Sequence, residues 1–209
     1  MEPLLTKIGQ LNNTASVDHS ATLDRVLKTC TQMLQDRGCE IINDCRTIGD
    51  VIYKMQENEH VLCGTKDEKH TFVYFHNEER IGVKQLRLWN EIHADCNVII
   101  VSLEGPTAFT KKEADQNYEN IQFFLFKDLC VNITKHAIVP KHELLDTTEV
   151  QKINYQISDN GSEWPKLYTT DAISQYYNFK PGNLIRITRT IGTQEPVYYY
   201  RLVCTPPIM

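Results

Sequence analysis

The chain has 209 residues, which at about 100–200 residues per domain allows one large domain or two small ones. Its hydrophobic fraction of 41% and charged fraction of 23% are ordinary for a globular protein. A formal net charge of −5 argues against a free-standing nucleic-acid binder, which is normally basic. It leaves room for a part of a larger nucleic-acid machine whose basic channel lies in another subunit.

The longest apolar runs, Val98 to Val101 and Phe123 to Phe126, are far too short to cross a bilayer. Glu2 and the polar Asn12-Asn13-Thr14 do not form a secretory signal pattern. The seven cysteines, Cys30, Cys39, Cys45, Cys63, Cys96, Cys130 and Cys204, are odd in number and scattered among apolar neighbours. They read as buried free thiols of a reducing compartment. The sequons at Asn12, Asn132 and Asn160 are then chance matches.

In chain order, residues 1–19 read as a weakly patterned leader. Leu23, Val26, Leu27, Cys30, Met33 and Leu34 repeat at helical spacing up to Gly38, which stops the helix. A short strand, Cys39 to Ile42, and a second amphipathic helix, Ile48 to Met55, follow. Val61 to Cys63 and Thr71 to Phe75 predict strands around the polar turn Lys66 to Lys69. Val83, Leu86, Trp89 and His93 predict a helix after Gly82, and Asn97 to Leu103 a buried strand. Thr110 to Tyr118 predicts a helix and Ile121 to Phe126 a strand. This alternation through about residue 130 is the signature of an α/β layer unit.

The texture then changes. Val131 to His136 reads as extended and Pro140 fixes a turn. A helix over Thr148 to Tyr155, a loop through Asn160-Gly161 and a helix over Asp171 to Tyr177 come next. Leu184 to Thr190 and Val197 to Val203 alternate as strands, with Gly192 in a hairpin-like connection. The predicted fold is α+β overall, with a boundary at about residue 135. Residues 1–135 hold fifteen basic and twenty acidic side chains, and residues 136–209 hold seven of each. All the excess acid therefore lies in the first part.

Three chemical motifs are considered and declined. Val98 to Gly105 followed by Lys111-Lys112 has the outline of a phosphate loop. It lacks the second Gly before the Lys and the Ser or Thr after it. Asp67-Glu68-Lys69 has the Asp-x-Lys spacing of metal-dependent nucleases, but it sits in a polar run that reads better as a solvated turn. Cys130, His136 and His142 lack the tight spacing that lets two ligands share one ion. No metal and no cofactor are expected.

The second part carries the informative segments. His136, Val139, Pro140 and His142 lead into Pro165, then Asp171, Tyr176 and Gly182, then Arg189, and finally Tyr200, Arg201 and Val203. In this order and spacing they resemble the fifth subunit shared by the three eukaryotic nuclear RNA polymerases, whose C-terminal part is similar to its archaeal RNA polymerase counterpart. Upstream, Phe72 to Phe75, Gly82-Val83-Lys84 and the Ile99-to-Lys111 segment extend the resemblance, which covers residues 20–204. The sequence departs from the family at Ala172, Gln175, Asn178 and the Arg189-to-Glu195 run. Asn178 stands where the family has Gly, and Asn tolerates left-handed geometry. Such drift suits a divergent eukaryote or a large DNA virus.

The resemblance implies a non-catalytic polymerase subunit, with the catalytic magnesium held elsewhere. Residues 20–135 would form a jaw domain, similar in fold to restriction endonucleases but without their active site, beside downstream duplex DNA. Residues 136–209 would form an assembly domain docking on the largest polymerase subunit. Pro140, His142, Tyr176, Arg189, Tyr200 and Arg201 are the expected interface residues. The Pro, Gly and Asp positions suit backbone roles equally well. Thr107, Lys111 and Lys112 are the expected DNA-proximal residues, since hydroxyl and ammonium groups suit phosphate oxygens. The expected location is the nucleus for a cellular protein, and a cytoplasmic viral factory or virion for a viral one. The alternatives are a metal-dependent nuclease using Asp67 and Lys69, and a free adaptor that kept the fold.

Overall fold

The computed structural model describes residues 19–45, 47–76, 80–157, 164–190 and 195–207. The leader before residue 19, the loop through Asn160-Gly161 and the connection at Gly192 lie outside the described residues. The chain divides into two compact units, one ending at Val131 and the other beginning at Asn132. Each unit is built around one mixed sheet, so the protein is α+β.

In the first unit, helix α1 (His19–Asp36) buries Leu23, Val26, Leu27, Cys30, Met33 and Leu34, the residues at helical spacing. It closes where Gly38 N–H bonds the Gln35 carbonyl at 2.8 Å and Cys39 N–H bonds the Leu34 carbonyl at 2.9 Å. This is the closure made by a left-handed residue after a helix. Helix α2 (Ile48–Gln56) starts with a reciprocal cap. Asp50 N–H donates to the Thr47 hydroxyl, and Thr47 N–H donates to the Asp50 carboxylate. All seven cysteines are free thiols, and burial pushes Cys30 up to about 12.

Strands β1 (Glu40–Asp44), β2 (His60–Lys66), β3 (Lys69–Phe75), β4 (Asn97–Ser102) and β5 (Ile121–Leu125) lie in the sheet in chain order. The first three run antiparallel, and β3, β4 and β5 run parallel. Helix α3 (Val83–Ile92) crosses from β3 to β4, and α4 (Ala108–Asn117) crosses from β4 to β5. Val98, Ile100, Leu86, Trp89 and Ala114 form one core with Tyr74. Each such Ile or Leu, fully buried, contributes ~1.5–3 kcal/mol. The Tyr74 hydroxyl lies 2.7 Å from His93 Nε2, so the polar end of this core is satisfied. Burial lowers His93 and pushes Tyr74 up to about 12, which keeps the phenol protonated.

Several boundaries differ from the expectation by a few residues, and two of them have clear local reasons. Helix α4 begins before Thr110 because Thr107 caps it, accepting from Thr110 N–H. The strand through Phe126 stops at Leu125, where Phe126 turns into the short helix α5 (Phe126–Leu129) and buries its ring against Phe75. A β-bulge between His60 and Leu62 shifts the β2 register, so His60 and Cys63 oppose Tyr74 and Phe72 on one face.

The polar turn from Lys66 to Lys69 is a two-residue hairpin, and both central residues have positive φ: 50° at Asp67 and 64° at Glu68. A tight hairpin needs this geometry to match strand twist, and Asn-Gly usually supplies it. Glu68 carries a strain of about 1 kcal/mol. Glu68→Gly is therefore expected to raise stability by about 1 kcal/mol, read as a higher urea midpoint at unchanged slope.

The second unit holds β6 (Lys141–Leu144), α6 (Thr147–Ile157), β7 (Lys166–Tyr168), α7 (Ala172–Tyr177), β8 (Leu184–Arg189) and β9 (Val197–Cys204). The sheet order is β6-β8-β9-β7, antiparallel except for the parallel β7/β9 pair. Its core is Leu167, Ile173, Phe179, Ile185, Ile187 and Val203. The expected extended entry is instead a turn of 3-10 helix over Ile133–Lys135, capped when Thr134 N–H donates to Asn132 Oδ1 at 2.9 Å. Asp171 caps α7 through Ile173 N–H, also at 2.9 Å. Asn178 ends that helix in the left-handed conformation, φ 56° and ψ 41°. Gly182 has φ 90° with open space where a Cβ would stand, so its backbone angle, not crowding, selects glycine.

Candidate functional site

The register of the second sheet sorts the candidate residues onto faces. Ile187 is flanked by His142 on β6 and Tyr199 on β9, and Ile185 by Leu144 and Arg201. Cross-strand partners share a face, so His142, Arg189, Tyr199 and Arg201 lie together on one side. The Arg189 guanidinium stands 5.3 Å from the centre of the Tyr199 ring, a cation–π contact. Arg189, Val197, Tyr199 and Arg201 are all exposed. They form the uncovered part of the face whose Ile185 and Ile187 lie in the core, an aromatic and cationic edge of the composition enriched at protein interfaces.

His142 is half-buried, and its Nδ1 lies 2.8 Å from the Pro140 carbonyl. A carbonyl only accepts, so Nδ1 carries the proton. Burial lowers its pKa, opposed by that hydrogen bond and by Asp171, and aided by the charges of Arg201 and Arg189. Its ring is neutral at pH 7, with Nε2 as an acceptor.

Tyr200 and Tyr176 fall elsewhere. Tyr200 pairs with Arg186 on the opposite face and meets the Trp164 ring edge-on at 6.0 Å. Tyr176 is 2% exposed, and its hydroxyl accepts from Asn132 Nδ2 at 3.0 Å. It ties α7 to the 3-10 turn from inside the unit.

Arg186 was not singled out from the sequence. It sits on the Tyr200 face, donating to Glu149 at 3.1 Å and approaching Glu143 at 3.5 Å. Its guanidinium lies 5.7 Å from the Tyr198 ring centre. The alternation of β8 placed it on a face, but nothing in sequence spacing joins positions 143, 149 and 186.

In the first unit, Thr107, Lys111 and Lys112 gather at the start of α4. Both lysines are exposed, and neither makes an ion pair among the described residues. Nearby Arg80 and Arg87 are paired with Glu104 and Glu113. Phe109 projects from the same helical turn at 81% exposure. Thr107 is committed inward: it accepts from Thr110 N–H at 3.2 Å, and its hydroxyl lies 2.8 Å from the Thr110 hydroxyl. Gly105 has open space where a Cβ would stand.

The declined motifs take ordinary positions. Asp67 and Glu68 are the two turn residues of the β2–β3 hairpin, and Lys69 opens β3. No group of three His, Cys, Asp or Glu side chains among the described residues could hold a metal ion. No described helix is long and apolar enough to cross a membrane.

The profile of the family described as RNA polymerase Rpb5, C-terminal domain, matches residues 131–203. DNA-directed RNA polymerase subunit Rpo5 of Methanothermobacter thermautotrophicus is 32% identical over 71 residues, covering 34% of this chain and 92% of that protein. The chain belongs to the Rpb5 family. The similarity of this Rpb5-family chain to longer relatives runs through both units. The Dictyostelium discoideum protein named DNA-directed RNA polymerases I, II, and III subunit rpabc1 is 28% identical over 187 residues, covering 85% of this chain and 95% of that one. Its Caenorhabditis elegans counterpart is 26% identical over 200 residues, covering 86% and 94%.

Proposed function

We propose that this Rpb5-family protein is a non-catalytic structural subunit of a multisubunit DNA-directed RNA polymerase. In this reading the unit beginning at Asn132 is the assembly domain, docking on the largest subunit. The unit ending at Val131 is the jaw beside downstream DNA. The observation that carries it is coincidence of boundaries: the family profile over 131–203 falls on the compact unit that starts at Asn132. The docking role then belongs to one independently packed body with its own core. For a cellular protein, the nucleus is the place of work. The test is co-purification of the tagged full chain from native extract. The largest subunit and polymerase activity should travel with it, and a chain that purifies apart from both is a free adaptor instead.

The Arg189, Tyr199 and Arg201 face is the part of the unit best suited to a partner, because its cations and rings are exposed together. Pro140 and His142 shape its margin, Tyr200 serves the opposite face, and Tyr176 acts from within by fixing α7. Reversing both charges, Arg189→Glu with Arg201→Glu, is expected to reduce recovery of the largest subunit by about tenfold or more. The melting temperature should change little, because both side chains are exposed. Full recovery would move the docking surface off this face.

A further inference from the structure

Thr110 is a fully buried polar side chain on α4, and its hydrogen bonds run in one direction. Its hydroxyl donates to the Ile81 carbonyl at 2.9 Å. That proton is spent, and a carbonyl cannot return one, so in the 2.8 Å contact with Thr107 the Thr107 hydroxyl is the donor. Thr107 Oγ1 in turn accepts from Thr110 N–H, and Thr107 N–H donates to the same Ile81 carbonyl at 3.2 Å. The relay fastens the first turn of α4 to the loop that precedes α3.

We propose that Thr110 is a positioning residue for the DNA-proximal edge, setting the direction of Lys111 and Lys112 through this relay. The inference rests on the proposed placement of that edge beside downstream DNA. Successive residues of a helix point about 100° apart. With Thr110 locked inward, Lys111 and Lys112 are thrown to the outer surface, where both are exposed. Thr107 changes role accordingly: its proton is given inward, so the phosphate partners are the two ammonium groups, and Thr107 works as the joint.

The test uses assembled polymerase carrying variant subunits and measures downstream DNA retention against salt. Loss of phosphate contacts lowers the slope of log retention against log salt by about one per contact. Lys111→Ala with Lys112→Ala should lower it by about two. Thr110→Val keeps the shape and removes the donor, and should lower the slope by about one, while Thr110→Ser should restore the parental value. If Thr110→Val fails to assemble, Thr107→Val cuts the same relay from the partly exposed side and should show the same loss. A normal slope in the valine variants, with the lysine pair effective, would reduce Thr110 to a packing residue and overturn the proposal. An unchanged slope in the lysine pair would instead overturn the placement of the edge beside DNA.

Discussion

Gly64→Val is expected to destabilise the protein by about 3 kcal/mol or more. Gly64 lies in β2, paired with Ile41 on β1 and Thr71 on β3. A Cβ built there would stand 3.2 Å from the Glu40 carbonyl oxygen, 3.2 Å from Cys39 Cβ and 3.3 Å from Leu34 Cδ1. Two of these neighbours are backbone or rigidly attached to it, so they cannot swing aside as the end of a lysine can. Leu34 is itself fully buried in α1. Any added side chain must push β1 from β2 or lift α1, and close-packed interiors yield little to either. Gly64→Ala should cost about 1–3 kcal/mol. Gly105→Ala is the matched control, because nothing lies within 4 Å of its Cβ position, and it should stay within about 0.5 kcal/mol of the parent. Urea midpoints of the three variants decide the matter, and a neutral Gly64→Ala would refute the close-packing argument.

Arg186→Met is expected to cost about 2 kcal/mol at pH 7 and to flatten the acid side of the stability profile. The methionine keeps an apolar side chain of similar reach and removes the guanidinium, with its charge and its hydrogen bonds to Glu149 and Glu143. Burial works against the Arg186 charge, and the Glu143 and Glu149 carboxylates more than offset it, leaving the pKa raised. Glu143 is held below the usual carboxylate range, first by its hydrogen bond from Lys141, against burial, and further by the charges of Lys141 and Arg186. A carboxylate with a depressed folded pKa contributes stability that is full above its unfolded value and lost as pH falls through the folded one. The parent should therefore lose stability below about pH 4.5, the ordinary value for Glu. Without Arg186 part of that depression is gone, so the variant should fall less steeply in acid. Parallel acid profiles would show that Arg186 does not act on Glu143.

Much of the fold was legible because its elements announce themselves by period. The six apolar residues of α1 match a buried face, the β-branched run of β4 is buried on both of its faces, and the alternation of β8 puts Ile185 and Ile187 in the core. The elements that escaped were short. β6 and β7 have only four and three residues, and such strands are defined by the neighbour they pair with, not by their own pattern. α5 follows β5 with no turn between them, so no breaker residue marks the change. Among the candidate residues, Arg189 and Arg201 were legible as exposed strand cations. Tyr176 was not legible as an interior residue, since its partner Asn132 is 44 positions away. Thr110 carried no signal either: a threonine in a polar helix looks solvent-facing until α3 and α4 are packed together.

The two sheets differ in how their strands become available. In the first, every strand pairs with the one made just before it, so each ladder closes a short span of chain, at low entropic cost. That sheet can grow outward in step with synthesis. In the second, β6 waits for β8, and β7 has no partner until β9 is made. While β9 is still to be made, the first unit is already paired and the second holds β7 without its partner. A chain cut short before β9 would thus carry a fully paired first sheet beside a second sheet that lacks the partner of β7 and the exposed Tyr199 and Arg201.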